Sequence, residues 1–202
     1  NRTTPMSYSL RTETSDRWVE CVLTHFEDFL VDHAASERKA HAAAMHFAVR
    51  YHDKPVLIDH MIGLASDEID HFHEVFRLLR ERGRHLQPDE KDPYANALLK
   101  HAHSSGQPRL LDRLLIGSIS EYRGCERFAL LSRALRDRTD HPETELADFY
   151  EQLAADDSHH RQIYMKMARE YFDESDIEPR LETLLDREAE IVEELEIRPA
   201  LH

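Results

Sequence analysis

The sequence predicts an all-α protein: a four-helix bundle with one long crossover and with extra N- and C-terminal helices. Its 202 residues include only 5 glycines and 8 prolines, and the helix-favouring residues Ala, Leu, Glu and Arg dominate. Along four long segments, apolar residues recur at alternating steps of three and four, the spacing of a helix that buries one face. A chain of this length fits one domain. We therefore expect residues 1–202 to form a single domain with its core at about 16–172.

Turn and capping residues divide the chain into helices. Pro55, in the turn YHDKP, fits the first turn of a helix, and Gly83 fits a helix stop. The following connection contains LQPDEKDPY and the breaker SSGQP, and later turns contain RTDHP and FDESDIEP. The predicted helices cover residues 15–24, 25–51, 55–82, 93–103, 108–137, 142–172 and about 176–198, the last one strongly acidic.

Two tight turns and one long connection set the expected topology. The tight turns make one hairpin of helices 25–51 and 55–82, and a second hairpin of helices 108–137 and 142–172. Residues 84–107 form the crossover between the hairpins. This connectivity is that of the ferritin-like four-helix bundle.

Each of the four apolar stripes is interrupted near its middle by a carboxylate. On the second and fourth long helices, a histidine follows three positions later, on the same face of the helix. The interrupting residues are Glu37, Glu68, His71, Glu121, Asp157 and His160.

These interruptions predict a site for two divalent metal ions. A buried lone carboxylate costs several kcal/mol unless a cation or hydrogen bonds offset it, and four at one level would also repel one another. Two divalent ions balance four carboxylates, and two neutral imidazoles complete the ligand set. One acidic residue from each of two helices, plus an acidic residue and a histidine at i+3 from each of the other two, is the pattern of dinuclear carboxylate bundles. Oxygen-rich ligation with two histidines suits iron that cycles between Fe(II) and Fe(III), so we expect two iron ions rather than manganese.

One ligand has a competitor on the third long helix. The runs SERKA and CERFA echo each other, which makes Glu126 an alternative to Glu121. Glu121 lies on the apolar stripe and at nearly the same distance from the turn RTDHP as Asp157, so we prefer it. We expect His33, one turn before Glu37, to support that carboxylate rather than to bind metal.

Charge and cysteine usage bear on partners and compartment. The net charge is −14, which argues against a nucleic-acid partner, but residues 173–202 hold much of the acid. Cys21 and Cys125 stand far apart without a CxxC pair, which suits a reducing cytosol. The first residues lack a signal-peptide pattern, and no apolar run reaches membrane-spanning length. We therefore expect a soluble, cytoplasmic protein without membrane association.

Five runs of the sequence resemble the MiaE family of tRNA hydroxylases: VDHAASERKA, ASDEIDHFHEVFRLLRERG, LQPDEKDPYANALLKH, RLLDRLLIGSISEYRGCERFALL and HHRQIY. PDEKDPY and the run EYRGCERF are the specific motifs, and the resemblance covers about residues 16–172. It implies a ferritin-like, non-haem di-iron monooxygenase that hydroxylates the isopentenyl side chain of a modified adenosine next to the tRNA anticodon. It also implies that dioxygen and an external electron donor take part.

The resemblance further implies that the same six residues are the iron ligands, with Glu68 and Asp157 best placed to bridge. The family has Glu at the position of Asp157. Asp is shorter by one methylene, so the alternatives to bridging are that it binds one iron or that it leaves that site weaker. The acidic segment after about residue 173 lies outside the match.

A tRNA substrate would need a basic surface, and the crossover brings two arginine clusters to one end of the bundle. These clusters are Arg77, Arg80, Arg82, Arg84, Arg133, Arg136 and Arg138. A solvated helix-end patch is an equal alternative, because cations favour helix C-termini. Other functions also stay open: an oxygenase of another prenylated or lipid-like small molecule, an iron-storage or peroxide-scavenging ferritin-like protein, or a metal-free helical interaction module. The sequence leaves monomer and dimer open.

Overall fold

A computed structural model describes residues 8–138 and 143–202, and all regular secondary structure within these ranges is helical. The helices are α1 (Asp16–Thr24), α2 (Phe26–Arg50), α3 (Pro55–Glu81), α4 (Pro93–Leu99), α5 (Gly106–Arg136), α6 (Thr144–Tyr171) and α7 (Glu174–Glu194). The four long helices are confirmed to within a few residues of their predicted bounds. The predicted helix start at residue 142 lies outside the described residues.

Two of the predicted helix ends are wrong by more than the one or two residues by which helix ends fray. The short helix α4 ends at Leu99 instead of residue 103, and the side chain of Asp92 caps its start by accepting a hydrogen bond from the amide of Ala95. Helix α7 ends at Glu194, about four residues before its predicted end. It begins at Glu174, within two or three residues of its predicted start, and contains Pro179, the last residue of the predicted turn FDESDIEP. Burial of apolar residues on both sides of Pro179 holds these turns in helical form. In the described ranges, no helix has both the length and the apolar character that a membrane span requires.

The helices pair as the turns predicted. Helix α2 packs along α3, and α5 packs along α6, so that each pair forms an antiparallel hairpin. Helix α3 faces α6 across the bundle, and the crossover carries α4, which packs on α5 and α7. The predicted fold class is confirmed: the chain forms an all-α, ferritin-like bundle with one long crossover.

Two apolar regions leave a polar level between them. One region surrounds Phe47 and Tyr164, and the other surrounds Phe29, Phe128 and Tyr150. Because the two regions lie on opposite sides of the carboxylate positions along each helix, those carboxylates fall in the middle of the bundle.

A buried ion pair attaches the C-terminal helix to this bundle. The guanidinium of Arg123 in α5 is fully buried and donates from Nε and Nη2 to the two carboxylate oxygens of Glu188 in α7, at 2.8 and 3.0 Å. The hydroxyl of Tyr94, in the PDEKDPY motif, donates to the same carboxylate at 3.2 Å. The two specific sequence motifs therefore meet at one carboxylate of α7.

Candidate metal centre

The four long helices bring the six predicted ligands to one level. They are Glu37 from α2, Glu68 and His71 from α3, Glu121 from α5, and Asp157 and His160 from α6. Five of them are buried, and the side chain of the sixth, Glu121, is only 12% exposed. Their burial follows from the helical period, because each replaces an apolar residue on the buried face.

Two groups of three side chains have ligand atoms close enough to share one ion. Glu37, Glu68 and His71 form one group, and Glu68, Glu121 and His160 form the other; in each, the ligand atoms all lie within 4.8 Å of one another. Glu68 belongs to both groups. One of its oxygens is 3.6 Å from Nδ1 of His71, and the other is 3.0 Å from Nδ1 of His160. A carboxylate in this position can bridge two ions.

Three buried atoms at the centre of these groups lack a hydrogen-bond partner among the described residues: Oε1 of Glu68, Nδ1 of His71 and Nδ1 of His160. Buried polar atoms without partners are rare in folded proteins because desolvation costs free energy that no bond returns. All three are atoms that bind metal ions: Oε1 of Glu68 lies 3.0 Å from Nδ1 of His160, and Nδ1 of His71 lies 3.6 Å from the other oxygen of Glu68. The residues present therefore fit a metal centre.

The electrostatics of the cluster also favour added cations. Burial raises the pKa of Glu37 well above its usual range, and the neighbouring Glu68 raises it further. Burial likewise raises the pKa of Asp157, with help from neighbouring carboxylates. Burial acts to raise the pKa of Glu68 as well, but contacts with His160 and His71 outweigh it and lower the pKa to about 2. The carboxylates outnumber the imidazoles that balance them, so divalent cations would stabilise the cluster.

Both candidate imidazole ligands are held from behind by a carboxylate of the opposite helix. Nε2 of His160 in α6 lies 3.3 Å from Oδ2 of Asp67 in α3. Nε2 of His71 in α3 lies 3.3 Å from Oδ2 of Asp156 in α6. Each ring thus turns Nδ1 to the cluster and Nε2 to an aspartate, an arrangement that orients metal-binding histidines. Sequence reasoning missed both aspartates. Their one signal is that each directly precedes a predicted carboxylate ligand, Asp67 before Glu68 and Asp156 before Asp157.

His33 supports Glu37 as predicted. Its Nε2 lies 2.6 Å from Oε1 of Glu37, and the ring is fully buried. Burial lowers the pKa of His33 to about 3, so the ring is neutral near pH 7, and the tautomer with its hydrogen on Nε2 donates to Glu37. The hydroxyl of Tyr150 lies 3.4 Å from Nδ1 on the other side of the ring.

Asp157 borders the cluster but belongs to neither group of three. Its Oδ2 packs against the backbone of α5 at Gly124, where a Cβ would come within 2.5 Å of that oxygen. Any residue other than glycine at this position would require the carboxylate to shift. The role of Asp157 as a sixth ligand stays a prediction.

Glu126, the alternative to Glu121, lies in a different network. Its carboxylate accepts hydrogen bonds from Oγ1 of Thr14 at 2.7 Å and from Nη1 of Arg123 at 2.6 Å. Glu121 instead lies 3.8 Å from Nδ1 of His160. The geometry therefore favours Glu121.

Two cavities meet at the cluster. A small one of about 90 Å³ lies against four of the predicted ligands, Glu37, Glu68, Glu121 and Asp157. A larger, mostly apolar cavity of about 290 Å³ lies between α2, α4, α5 and α6. Glu121 lines both, and so do Ser120 and His202. The larger cavity thus leads from partly exposed side chains to the candidate metal centre.

Comparison with known proteins agrees with this architecture. A solved structure, Protein 43 with aldehyde deformylating oxygenase activity from Synechococcus, has a TM-score of 0.84 and 32% identity, covering 94% of this chain and 92% of that chain. The tRNA 2-(methylsulfanyl)-N(6)-isopentenyladenosine(37) hydroxylase of Pseudomonas putida is 34% identical over 180 residues, which are 89% of this chain and 84% of that protein. Its namesake from Salmonella typhimurium is 30% identical over 136 residues, or 67% of this chain and 47% of that protein.

The family model also matches. Residues 1–202 match the family described as tRNA-(MS[2]IO[6]A)-hydroxylase (MiaE), which extends the resemblance through the acidic C-terminal segment. The predicted relationship is confirmed: this chain belongs to the MiaE family of tRNA hydroxylases.

Proposed function

We propose that the protein is a di-iron, dioxygen-dependent monooxygenase that hydroxylates the isopentenyl side chain of a modified adenosine next to the tRNA anticodon. The observation that carries the proposal is a buried carboxylate–imidazole cluster at the inner end of an apolar cavity. Membership of a hydroxylase family makes the chain an enzyme. Its substrate must then bring an apolar group to the cluster.

The cluster would hold two iron ions. Glu37, Glu68 and His71 would bind one ion, and Glu68, Glu121 and His160 the other, with Glu68 shared. We keep Asp157 as a sixth ligand, because its carboxylate lines the same small cavity. When bound, iron supplies the redox chemistry by which dioxygen, two external electrons and two protons convert a C–H bond into C–OH and water.

The other side chains of the site position and shield this chemistry. Asp67 and Asp156 hold the two imidazoles with Nδ1 toward the cluster, and His33 holds Glu37. Phe47 and Tyr164 line the larger cavity, whose apolar surface excludes water and suits a branched hydrocarbon chain.

A close helix contact fixes one wall of that cavity. A Cβ on Gly117 of α5 would come within 2.6 Å of the ring of Tyr164, so glycine lets this ring lie directly on the helix. The ring borders the cavity at this contact.

The test measures tRNA nucleosides by mass spectrometry in cells with and without the gene, and with purified protein supplied with iron, reductant and dioxygen. We expect hydroxylated prenyl-adenosine to disappear with the gene and to form in vitro. A matched variant, Glu68→Gln, should abolish formation in vitro. Unchanged hydroxylated nucleoside in the deletion strain would remove the tRNA assignment.

A second candidate is an oxygenase of a free apolar molecule. It is favoured by the 32% identity to a protein with aldehyde deformylating oxygenase activity. The same purified protein can be offered an aliphatic aldehyde in place of tRNA. Turnover of the aldehyde together with inert prenylated tRNA would establish this candidate instead.

A further inference from the structure

Arg113, in α5, lines the larger cavity without a carboxylate partner among the described residues. Its side chain is half-buried, and its guanidinium carbon lies 5.9 Å from the centre of the Phe47 ring. Burial lowers the pKa of Arg113, and the nearby Arg109 lowers it further, yet a guanidinium stays charged at neutral pH. A protein of net charge −14 therefore keeps an unneutralised cation at an apolar cavity.

The charge of Arg113 is electrostatically unfavourable for the helix that carries it. Arg109 and Arg113 are four residues apart on one face of α5, and like charges at this spacing repel. Arg109 lies in the first turn of α5, where no acidic residue is present and where the helix dipole disfavours positive charge. Among the described residues, Arg109 donates only to the carbonyl of His103, at 3.1 Å. A ligand is the simplest reason to keep the pair.

A second cation lines the same cavity from the facing helix. Lys39 of α2 donates to the carbonyl oxygen of Glu90 at 2.8 Å. Two carboxylates line the cavity. Asp92 caps α4, lies 3.7 Å from Nδ1 of His202 and is also near the charge of Lys39, whereas Glu121 faces the metal centre. Among the described residues, Arg113 is therefore the cation of this cavity that no carboxylate balances.

The arginine-rich bundle end is different, because many of its cations are already paired. Arg84 donates to Asp28 at 2.8 Å, and Arg138 donates to Glu143 at 2.9 Å. Arg136 is paired with both Asp148 and Glu151. These pairs fit the alternative of a solvated helix-end patch rather than a phosphate-binding surface.

We propose that Arg113, assisted by Lys39, binds a backbone phosphate of the substrate RNA beside the nucleotide whose apolar side chain enters the cavity. The inference rests on the proposed function. A guanidinium matches the geometry of a phosphate, and phosphate contacts position RNA without reading its sequence. The tRNA then lies over the face formed by α2, α4 and α5, away from the arginine-rich end.

The test compares Arg113→Gln with Arg113→Lys and with Arg136→Gln, a control about 35 Å away along the same helix. Binding of prenylated tRNA is measured by fluorescence anisotropy across a salt series. For Arg113→Gln we expect several-fold weaker binding and a log–log salt slope shallower by about 0.7 to 0.9. Arg113→Lys should keep the wild-type slope, and Arg136→Gln should match the wild type. Arg113→Gln should also keep the wild-type unfolding midpoint and iron content, because Arg113 has no carboxylate partner to lose.

Three substrates separate the sources of phosphate: prenylated tRNA, isopentenyladenosine 5′-monophosphate and the free nucleoside. A raised KM for tRNA alone supports contact with a neighbouring nucleotide, and a raised KM for both phosphate-bearing substrates supports contact with the modified nucleotide itself. The inference is overturned if Arg113→Gln raises the KM for the free nucleoside as much as for the other substrates, or if its salt slope is unchanged. In either case, hydroxylation of tRNA by the wild type would still support the proposed function. If the wild type neither binds nor hydroxylates tRNA, both fall.

Discussion

Oδ2 of Asp67 lies 3.3 Å from Nε2 of His160, on the far side of the imidazole from Glu68. The corresponding contact, with the two helices exchanged, joins Asp156 to His71. Helices α3 and α6 therefore exchange supports, since each provides the aspartate that orients the other's histidine. This exchange fixes the rotation of both helices about their axes as well as the direction of the ligand atoms.

Removing one of these supports should weaken metal binding without unfolding the protein. We expect Asp67→Asn to lower iron affinity by about 10-fold, the low end of the range for such carboxylates, because Asp67 is half-exposed. Chelator competition measures the affinity. Asp70→Asn, an exposed position of the same helix, is the matched control and should match the wild type. Equal affinities of both variants would show that Asp67 does not orient His160.

Glu68→Ala should remove most of the bound iron, because its carboxylate belongs to both groups of ligands. Elemental analysis of iron-supplied protein should fall from about two ions per chain toward none. Glu74→Ala changes an exposed glutamate of the same helix and should leave the content unchanged. Full iron retention in Glu68→Ala would contradict its bridging role.

Gly124→Ala tests whether Asp157 must lie against α5. The new methyl would come within 2.5 Å of Oδ2 of Asp157, so the carboxylate must move. We expect a loss of about 1–3 kcal/mol of unfolding free energy together with altered iron content. Gly63→Ala has nothing within 4 Å of the new methyl and should stabilise α3 by about 0.5–1 kcal/mol. Wild-type stability and iron content in Gly124→Ala would show that this approach is not needed.

The sequence predicts those features that depend on the residues of a single helix. The apolar period and the turn residues specify four long helices, and the interruptions of that period specify the level of the metal centre. Contacts between distant segments leave no such local signal. Arg123 looks like a surface residue in the sequence, yet it is buried because Glu188, 65 positions later, meets it. The offset of Asp157 and the cavity beside Arg113 depend on how closely two helices approach, which periodicity does not report.

Loss of the buried pair of Arg123 and Glu188 should lower the free energy of unfolding much more than loss of an exposed pair on α7. Glu188→Ala leaves a buried guanidinium with only part of its compensation, and we expect a loss of about 3–5 kcal/mol. Glu190→Ala breaks the exposed contact with Arg187 and should cost about 0–1 kcal/mol. Denaturant unfolding measures both, and similar losses in the two variants would contradict the buried role of Glu188.

Asp112 should make stability depend on pH in the acid range. Burial acts to raise the pKa of Asp112, but contacts with Arg180 and with the amide and ring of His103 outweigh it and lower the pKa below its usual 3.8. A lowered pKa in the folded state stabilises the protein above the unfolded value, and this stabilisation is lost as the pH falls through the folded value.

The change to make is Asp112→Asn, which keeps the shape of the side chain and removes its charge. We expect the variant to be less stable than the wild type at pH 7, because Arg180 loses its buried partner. The difference in unfolding free energy should shrink as the pH falls below about 4. Urea unfolding of both proteins across this range measures it. A difference that stays constant with pH would mean that packing, and not the charge of Asp112, joins the crossover to α7.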